Sequence, residues 1–128
     1  MKLLLDTHTL LWWWTNDSQM SAKAKRLITS EANVVLVSAA SAWEIATKTR
    51  LGKLDIGPMA LQRFQDLVQA DGFTHLPMTW QHAVYAGGLP LDHRDPSDRM
   101  LAAQSFLEDA TLVTKDAAFG MFSTRVVW

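Results

Sequence analysis

Four acidic residues, Asp6, Glu44, Asp98 and Asp116, stand where a folded α/β chain would gather them. Asp6 closes a short apolar run, Lys2 to Leu5, that reads as a strand, and Asp116 follows a second such run, Thr111 to Thr114, by two residues. Glu44 lies in the first turns of a helix expected after the β-branched strand Asn33 to Val37. Asp98 lies in the first turn of the helix that leads into Thr111. In a parallel sheet, ligands bind beyond the carboxyl ends of the strands, and the helix after a strand begins at that same edge. All four acids therefore fall at one edge. Two ionised carboxylates about 4 Å apart repel by roughly 4 kcal/mol at an effective dielectric near 20. Such a group takes up either a proton or a cation. A hard divalent cation suits oxygen ligands. Mg²⁺ asks for only one or two carboxylates and keeps its waters for phosphate oxygens. It polarises a phosphoryl group, supplies hydroxide and steadies a leaving oxygen. The pattern thus points to phosphate-ester hydrolysis.

Each acid also has a structural alternative. Asp6 could serve as a turn or helix cap, and Asp116 could cap the short turn Ala117 to Phe119. Asp95-Pro96-Ser97-Asp98 is a helix start in which Asp95 accepts from free N–H groups and Pro96 suits the first helical position. The capping role is assigned mainly to Asp95. Glu44 is flanked by Ala42-Trp43 and Ile45-Ala46, where a half-buried glutamate is unusual.

The elements that must carry these residues alternate short apolar runs with helical stretches, as an α/β fold with a mainly parallel sheet requires. Helices are expected over Thr9 to Trp14, Ser21 to Ala32, Ala40 to Leu51 with Gly52 as its cap, Met59 to Ala70, Thr79 to Ala86 ended by Gly87-Gly88, and Asp95 to Asp109. Further strands are expected over Phe73 to Leu76 and Arg125 to Trp128. With 128 residues, 48% of them hydrophobic and 20% charged, the chain reads as one domain over residues 1–128. Cysteine is absent, which removes disulfides, cysteine-ligated zinc and thiol nucleophiles together. A net charge of −1 gives no global attraction for nucleic acid, so a polyanion would need a local basic patch or a metal. No apolar run approaches the roughly 18 residues of a membrane span. The opening residues do not read as a signal peptide, so the expected compartment is the cytoplasm. Trp12, Trp13 and Trp14 are consecutive, and on a helix they point about 100° apart, so they cannot all face one core.

Five blocks in order now carry a family likeness. They are Leu3-Leu4-Leu5-Asp6-Thr7-His8, Ser38 to Ala46, Gly52-Lys53-Leu54, His93 to Gln104 and Leu112-Val113-Thr114-Lys115-Asp116. In these the chain resembles the PIN-domain ribonucleases, most of all the toxins of VapBC toxin–antitoxin pairs. The resemblance implies a three-layer α/β/α fold with a central, mainly parallel sheet of about five strands. It implies cleavage of single-stranded RNA with Mg²⁺ or Mn²⁺. It places metal-binding acids at Asp6, Glu44, Asp98 and Asp116, with Asp95 as a cap or supporting residue. Asp6 and Asp98 would hold the principal ion, and Asp116 and Glu44 would complete the site or hold a second ion. Thr7 and Thr114 match hydroxyl positions that orient carboxylates or water. A cognate antitoxin and a homodimer are implied as partners, with Leu10, Leu11 and the exposed part of the tryptophan run as a candidate contact.

Arg94, Arg99 and Lys115 flank the acids, and Lys48 lies one helical turn after Glu44, so these are candidate phosphate contacts. His93 is a candidate RNA contact. The four histidines show no pairing pattern in the sequence, and none is required as a base. Two other readings compete. A non-catalytic PIN-like module binding RNA or protein would keep the fold without the chemistry. A receiver-type signalling domain needs an acidic pair after the first strand and an aspartate ending a central strand. Here Thr7-His8 follow Asp6, and no aspartate ends Asn33 to Val37.

Overall fold

The computed structural model describes residues 1–90 and 92–128. Five strands form one sheet: β1 (Lys2–Leu5), β2 (Val34–Ser38), β3 (Thr74–Leu76), β4 (Thr111–Val113) and β5 (Val126–Val127). Their order is β3-β2-β1-β4-β5, and every pairing is parallel. The helices are α1 (Thr7–Thr15), α2 (Ala22–Thr29), α3 (Ala39–Arg50), α4 (Gly57–Gln62), α5 (Phe64–Ala70), α6 (Trp80–Gly88) and α7 (Pro96–Leu107), followed by a 3₁₀ turn over Ala117–Met121.

Strand alternation builds the layers. Leu3 and Leu5 of β1 point to one face, where they pack with Leu10, Ala24, Ile28 and Val68 from the helices. Leu4 points to the other, with Leu101, Ala102, Phe119 and Phe122. All three leucines are fully buried. A strand covered on both faces must read as a continuous apolar run, which is why Leu3-Leu4-Leu5 is uninterrupted. The expected α/β/α layering with a five-stranded sheet is therefore the one observed.

Several helices differ from their expected extents: α1 begins at Thr7 rather than Thr9, and α2 ends at Thr29 rather than Ala32. The stretch from Met59 to Ala70 is two helices, because the backbone turns out of helical geometry at Arg63 (φ −106°, ψ 10°). The break lets the two halves bury against different partners. Ala60 and Leu61 pack with Leu11 and Ile45, whereas Val68 joins the main cluster under the sheet. Helix α6 runs through Gly87 and Gly88 and closes at Leu89 in extended geometry, with Pro90 next in sequence.

The tryptophan run resolves as geometry demands. All three rings are half-buried and diverge. Trp14 meets Phe64, Trp13 meets Phe73, and Trp12 meets Trp128. The indole N–H groups of Trp13 and Trp14 both donate to one oxygen of Asp71, at 3.2 and 3.0 Å.

Candidate metal centre

Strand β1 is central, and Asp6 sits at its carboxyl end, where its N–H extends the ladder to the Val113 carbonyl at 3.2 Å. Its own carbonyl accepts the first helical bond, from Leu10 N–H. Asp6 is thus the N-cap residue of α1, yet its side chain makes no capping bond. The structural alternative for Asp6 fails on this point. The side chain is only 6% exposed. One oxygen, Oδ2, accepts a hydrogen bond from Thr114 Oγ1 at 2.8 Å. That hydroxyl also accepts from Asp116 N–H at 3.0 Å. Thr114 therefore fixes the Asp6 carboxylate and the loop after β4 together.

Burial pushes the Asp6 carboxyl up to about 6. Desolvation is the main cause, the Thr114 bond and nearby His8 oppose it, and the charges of Asp98 and Glu44 add to it. Asp98 is raised as well, first by desolvation, against which its bond to His93 works, and further by Asp95 and Glu44. Glu44 acts on both Asp6 and Asp98, and Asp98 acts on Asp6, so these three acids, far apart in sequence, share one electrostatic neighbourhood.

Each acid has one oxygen held by the protein. Asp98 Oδ2 pairs with His93 Nε2 at 2.8 Å, both side chains being about 15% exposed. Glu44 Oε2 takes Lys48 Nζ at 2.6 Å. Burial disfavours the Lys48 charge, but the Glu44 bond together with the charges of Glu44, Asp95 and Asp98 outweighs it and raises the ammonium. The other Glu44 oxygen, Oε1, is buried and has no hydrogen-bond partner among the described residues. An uncompensated carboxylate oxygen costs free energy in such a setting.

Side-chain bonds lock the carriers together. Thr7 Oγ1 donates to Ser41 Oγ at 2.9 Å, tying α1 to α3. Thr7, expected to orient a carboxylate or water, uses its hydroxyl to join the helix that follows Asp6 to the helix that carries Glu44. Ser38 caps α3 by accepting from Ala40 N–H and donates to the buried Gln104 of α7. Nothing in the sequence pattern marks Ser41 or Gln104, because their partners are distant in the chain.

The remaining candidates divide. Asp95 caps α7 as expected, its Oδ1 accepting from Ser97 N–H at 2.9 Å and Asp98 N–H at 3.2 Å. Asp116 is exposed and caps the 3₁₀ turn, its Oδ1 accepting from Ala118 N–H, so it stands at the rim of the group. Arg99 reaches away from a phosphate role. Its guanidinium donates to the carbonyls of Ala86, Leu89 and His93 at 3.0, 2.6 and 3.0 Å. It clamps the segment that delivers His93. Arg94 is exposed. Lys115 is exposed and reaches Gln19. A groove of about 250 Å³ between α3 and the start of α7 is lined by Trp43, Glu44, Lys48, Lys53, Asp95 and Ser97 among others. The His93–Asp98 pair is a further contact that the sequence does not announce. A histidine five residues before an aspartate is no motif, and the loop between them decides the meeting.

Among the described residues no three histidine or acidic side chains close on one point as a finished cage. The donor set still fits a hard cation. Mg²⁺ is held by one or two carboxylates and keeps several waters, and here one buried carboxylate oxygen lacks a partner beside two acids raised by burial.

Comparisons with known proteins place the chain in a family and its fold among solved structures. The PIN domain family matches residues 3–122. Ribonuclease VapC22 of Mycobacterium tuberculosis is 30% identical over 115 residues, which are 89% of this chain and 86% of that protein. The crystal structure of VapBC2 from Rickettsia felis bound to a DNA fragment from its promoter superposes with a TM-score of 0.69 at 15% identity, covering 99% of this chain and 98% of that one. VapBC-1 from nontypeable Haemophilus influenzae superposes with a TM-score of 0.66 at 15% identity, covering 99% and 97%. Likeness at such identity speaks for the fold.

Proposed function

The chain belongs to the PIN-domain family, and on that premise we propose that it is a metal-dependent endoribonuclease that hydrolyses single-stranded RNA and acts as the toxin of a toxin–antitoxin pair. One observation carries the metal centre. Glu44 Oε1 is buried without a partner, in the same field as Asp6 and Asp98. A buried anion of this kind is retained where a cation completes it.

Asp6, Asp98 and Glu44 are the residues proposed to hold Mg²⁺ or Mn²⁺, with Asp116 completing the rim. A bound divalent cation supplies Lewis acidity toward the phosphoryl oxygens and a nucleophile at neutral pH. The chain's own work is positional. Thr114 aims the Asp6 carboxylate, His93 orients Asp98, and Lys48 holds Glu44 while adding positive charge beside the groove that Lys53 also lines. Arg94 and Lys115 are exposed cations suited to phosphates of the same strand. The name of the curated relative supports RNA as substrate, and the VapBC assemblies among the structural neighbours support an antitoxin as partner. Self-association as a homodimer belongs to the same proposal. Among the described residues no helix is long and apolar enough to cross a membrane.

The test is incubation of the purified chain with total RNA, with Mn²⁺ and with chelator, followed by mapping of the ends. Cleavage is expected with the metal, none with chelator and none with Asp6→Asn. Metal binding without cleavage of any RNA would leave the non-catalytic module as the correct reading.

A further inference from the structure

His8 follows Asp6 by two residues, lies in the first turn of α1 and is exposed, and its charge is among the influences on the Asp6 carboxyl. One helical turn later, the ring of Trp12 lies parallel to the imidazole, with centroids 5.8 Å apart and an interplanar angle of 19°. Trp12 is held from another side by the edge of Trp128, 5.7 Å away at 64°. It also borders a groove that carries Lys25. A half-buried indole thus fixes an exposed imidazole as a flat platform beside the carboxylate group. Lys25 supplies a cation on the groove that Trp12 borders.

We propose that the stacked pair His8–Trp12 is a nucleobase subsite, in which the outer face of the His8 ring takes a base next to the scissile phosphate. The inference rests on the ribonuclease reading above and adds to it where the strand lies. A planar ring already stacked on a second ring offers a continuation of the stack rather than a socket for an aliphatic side chain. Single-stranded nucleic acids are bound in this way, by aromatic faces alongside cations that track the backbone, and every base has a π-face to offer. A strand seated on His8 would run past Asp6 toward the groove lined by Lys48 and Lys53.

The experiment uses the full chain in the Asp6→Asn background, at pH 8. A labelled RNA oligonucleotide spanning the cut mapped for the wild-type protein is titrated by anisotropy. It is compared with oligonucleotides carrying an abasic position on either side of that cut. His8→Ala is expected to weaken binding of the intact strand about tenfold, and His8→Phe to restore it. One of the two abasic strands is expected to bind His8→Ala and its parent equally. Because His8 is exposed, the fold should persist, and thermal melting of each variant checks that. Binding of His8→Ala within twofold of its parent, or an equal loss on all three strands, overturns the subsite. A variant that instead changes the oligomeric state on sizing assigns the pair to a protein contact and also overturns it. If the wild-type protein cuts no RNA, the ribonuclease reading falls and the subsite falls with it. The other outcomes leave that reading standing.

Discussion

Asp6 is held ionised at a cost, and removing its charge should therefore stabilise the protein while abolishing its activity. The carboxyl is raised from 3.8 to about 6 on folding. The shift is about 2 pH units, and at 1.36 kcal/mol per unit it amounts to roughly 3 kcal/mol. Below pH 3.8 the group is protonated in both states and contributes nothing. Between 3.8 and 6 the native state binds more protons than the unfolded one, so stability falls as pH rises. Above 6 the full penalty is present. Asp6→Asn keeps an oxygen for the Thr114 hydroxyl and removes the charge. Urea unfolding in chelator, at intervals from pH 4 to pH 8, should show the variant gaining on wild type across this window. The difference should level off at about 3 kcal/mol above pH 7. Saturating Mn²⁺ should close much of the gap, because a ligand at 100 times its Kd contributes about 2.7 kcal/mol. A difference that is flat with pH, or a variant no more stable than wild type at pH 7.5, would refute the reasoning.

Three further outcomes are expected. Asp98→Asn should lower Mn²⁺ affinity at least tenfold by calorimetry, whereas Asp95→Ala should leave it within about threefold and cost about 1 kcal/mol of stability by loss of the α7 cap; equal losses of affinity would make Asp95 a ligand. Thr114→Val removes the hydrogen bond that holds the Asp6 carboxyl down against burial. Metal binding needs the ionised group, so the midpoint of Mn²⁺ affinity against pH should move upward, and an unchanged midpoint would show that Thr114 does not tune Asp6. Arg99→Ala leaves carbonyls of Ala86, Leu89 and His93 without their charged donor and should cost about 2–4 kcal/mol in urea unfolding. Arg99→Lys should recover little of that, because one ammonium cannot reproduce the planar fork.

The sheet and the placement of Asp6, Glu44 and Asp98 were legible because they follow local rules. An apolar run of four marks a buried strand, and an acid at its end falls at the ligand-binding edge. Asp95 was legible as a cap for the same reason, since capping is decided within three residues. What stayed hidden depends on distance along the chain. Thr7 meets Ser41 and Ser38 meets Gln104 across separations of 34 and 66 residues, and no window of sequence contains such pairs. Arg99 looked like a phosphate contact because a cation beside acids usually faces solvent. The carbonyls that claim it lie 6 to 13 residues earlier, in a segment whose path the pattern does not fix. The split at Arg63 was invisible too, since Met59 to Ala70 contains no breaker and the break follows from where each half finds a core.

The strand order also bears on when the protein becomes active. Strand β1, made first, lies in the middle of the sheet, and the neighbour on its β4 side is made near the end. The bond from Thr114 to Asp6 spans 108 residues, which synthesis at 5–20 residues per second takes roughly 5–20 s to cover. Through that interval the acid lacks the hydroxyl that aims it, and the sheet lacks the strand that buries it. Over the same interval the cleavage proposed above lacks its assembled acid group. The acid group is complete only once β4 has been made and seated beside β1, which is also when a partner protein could first meet a folded surface.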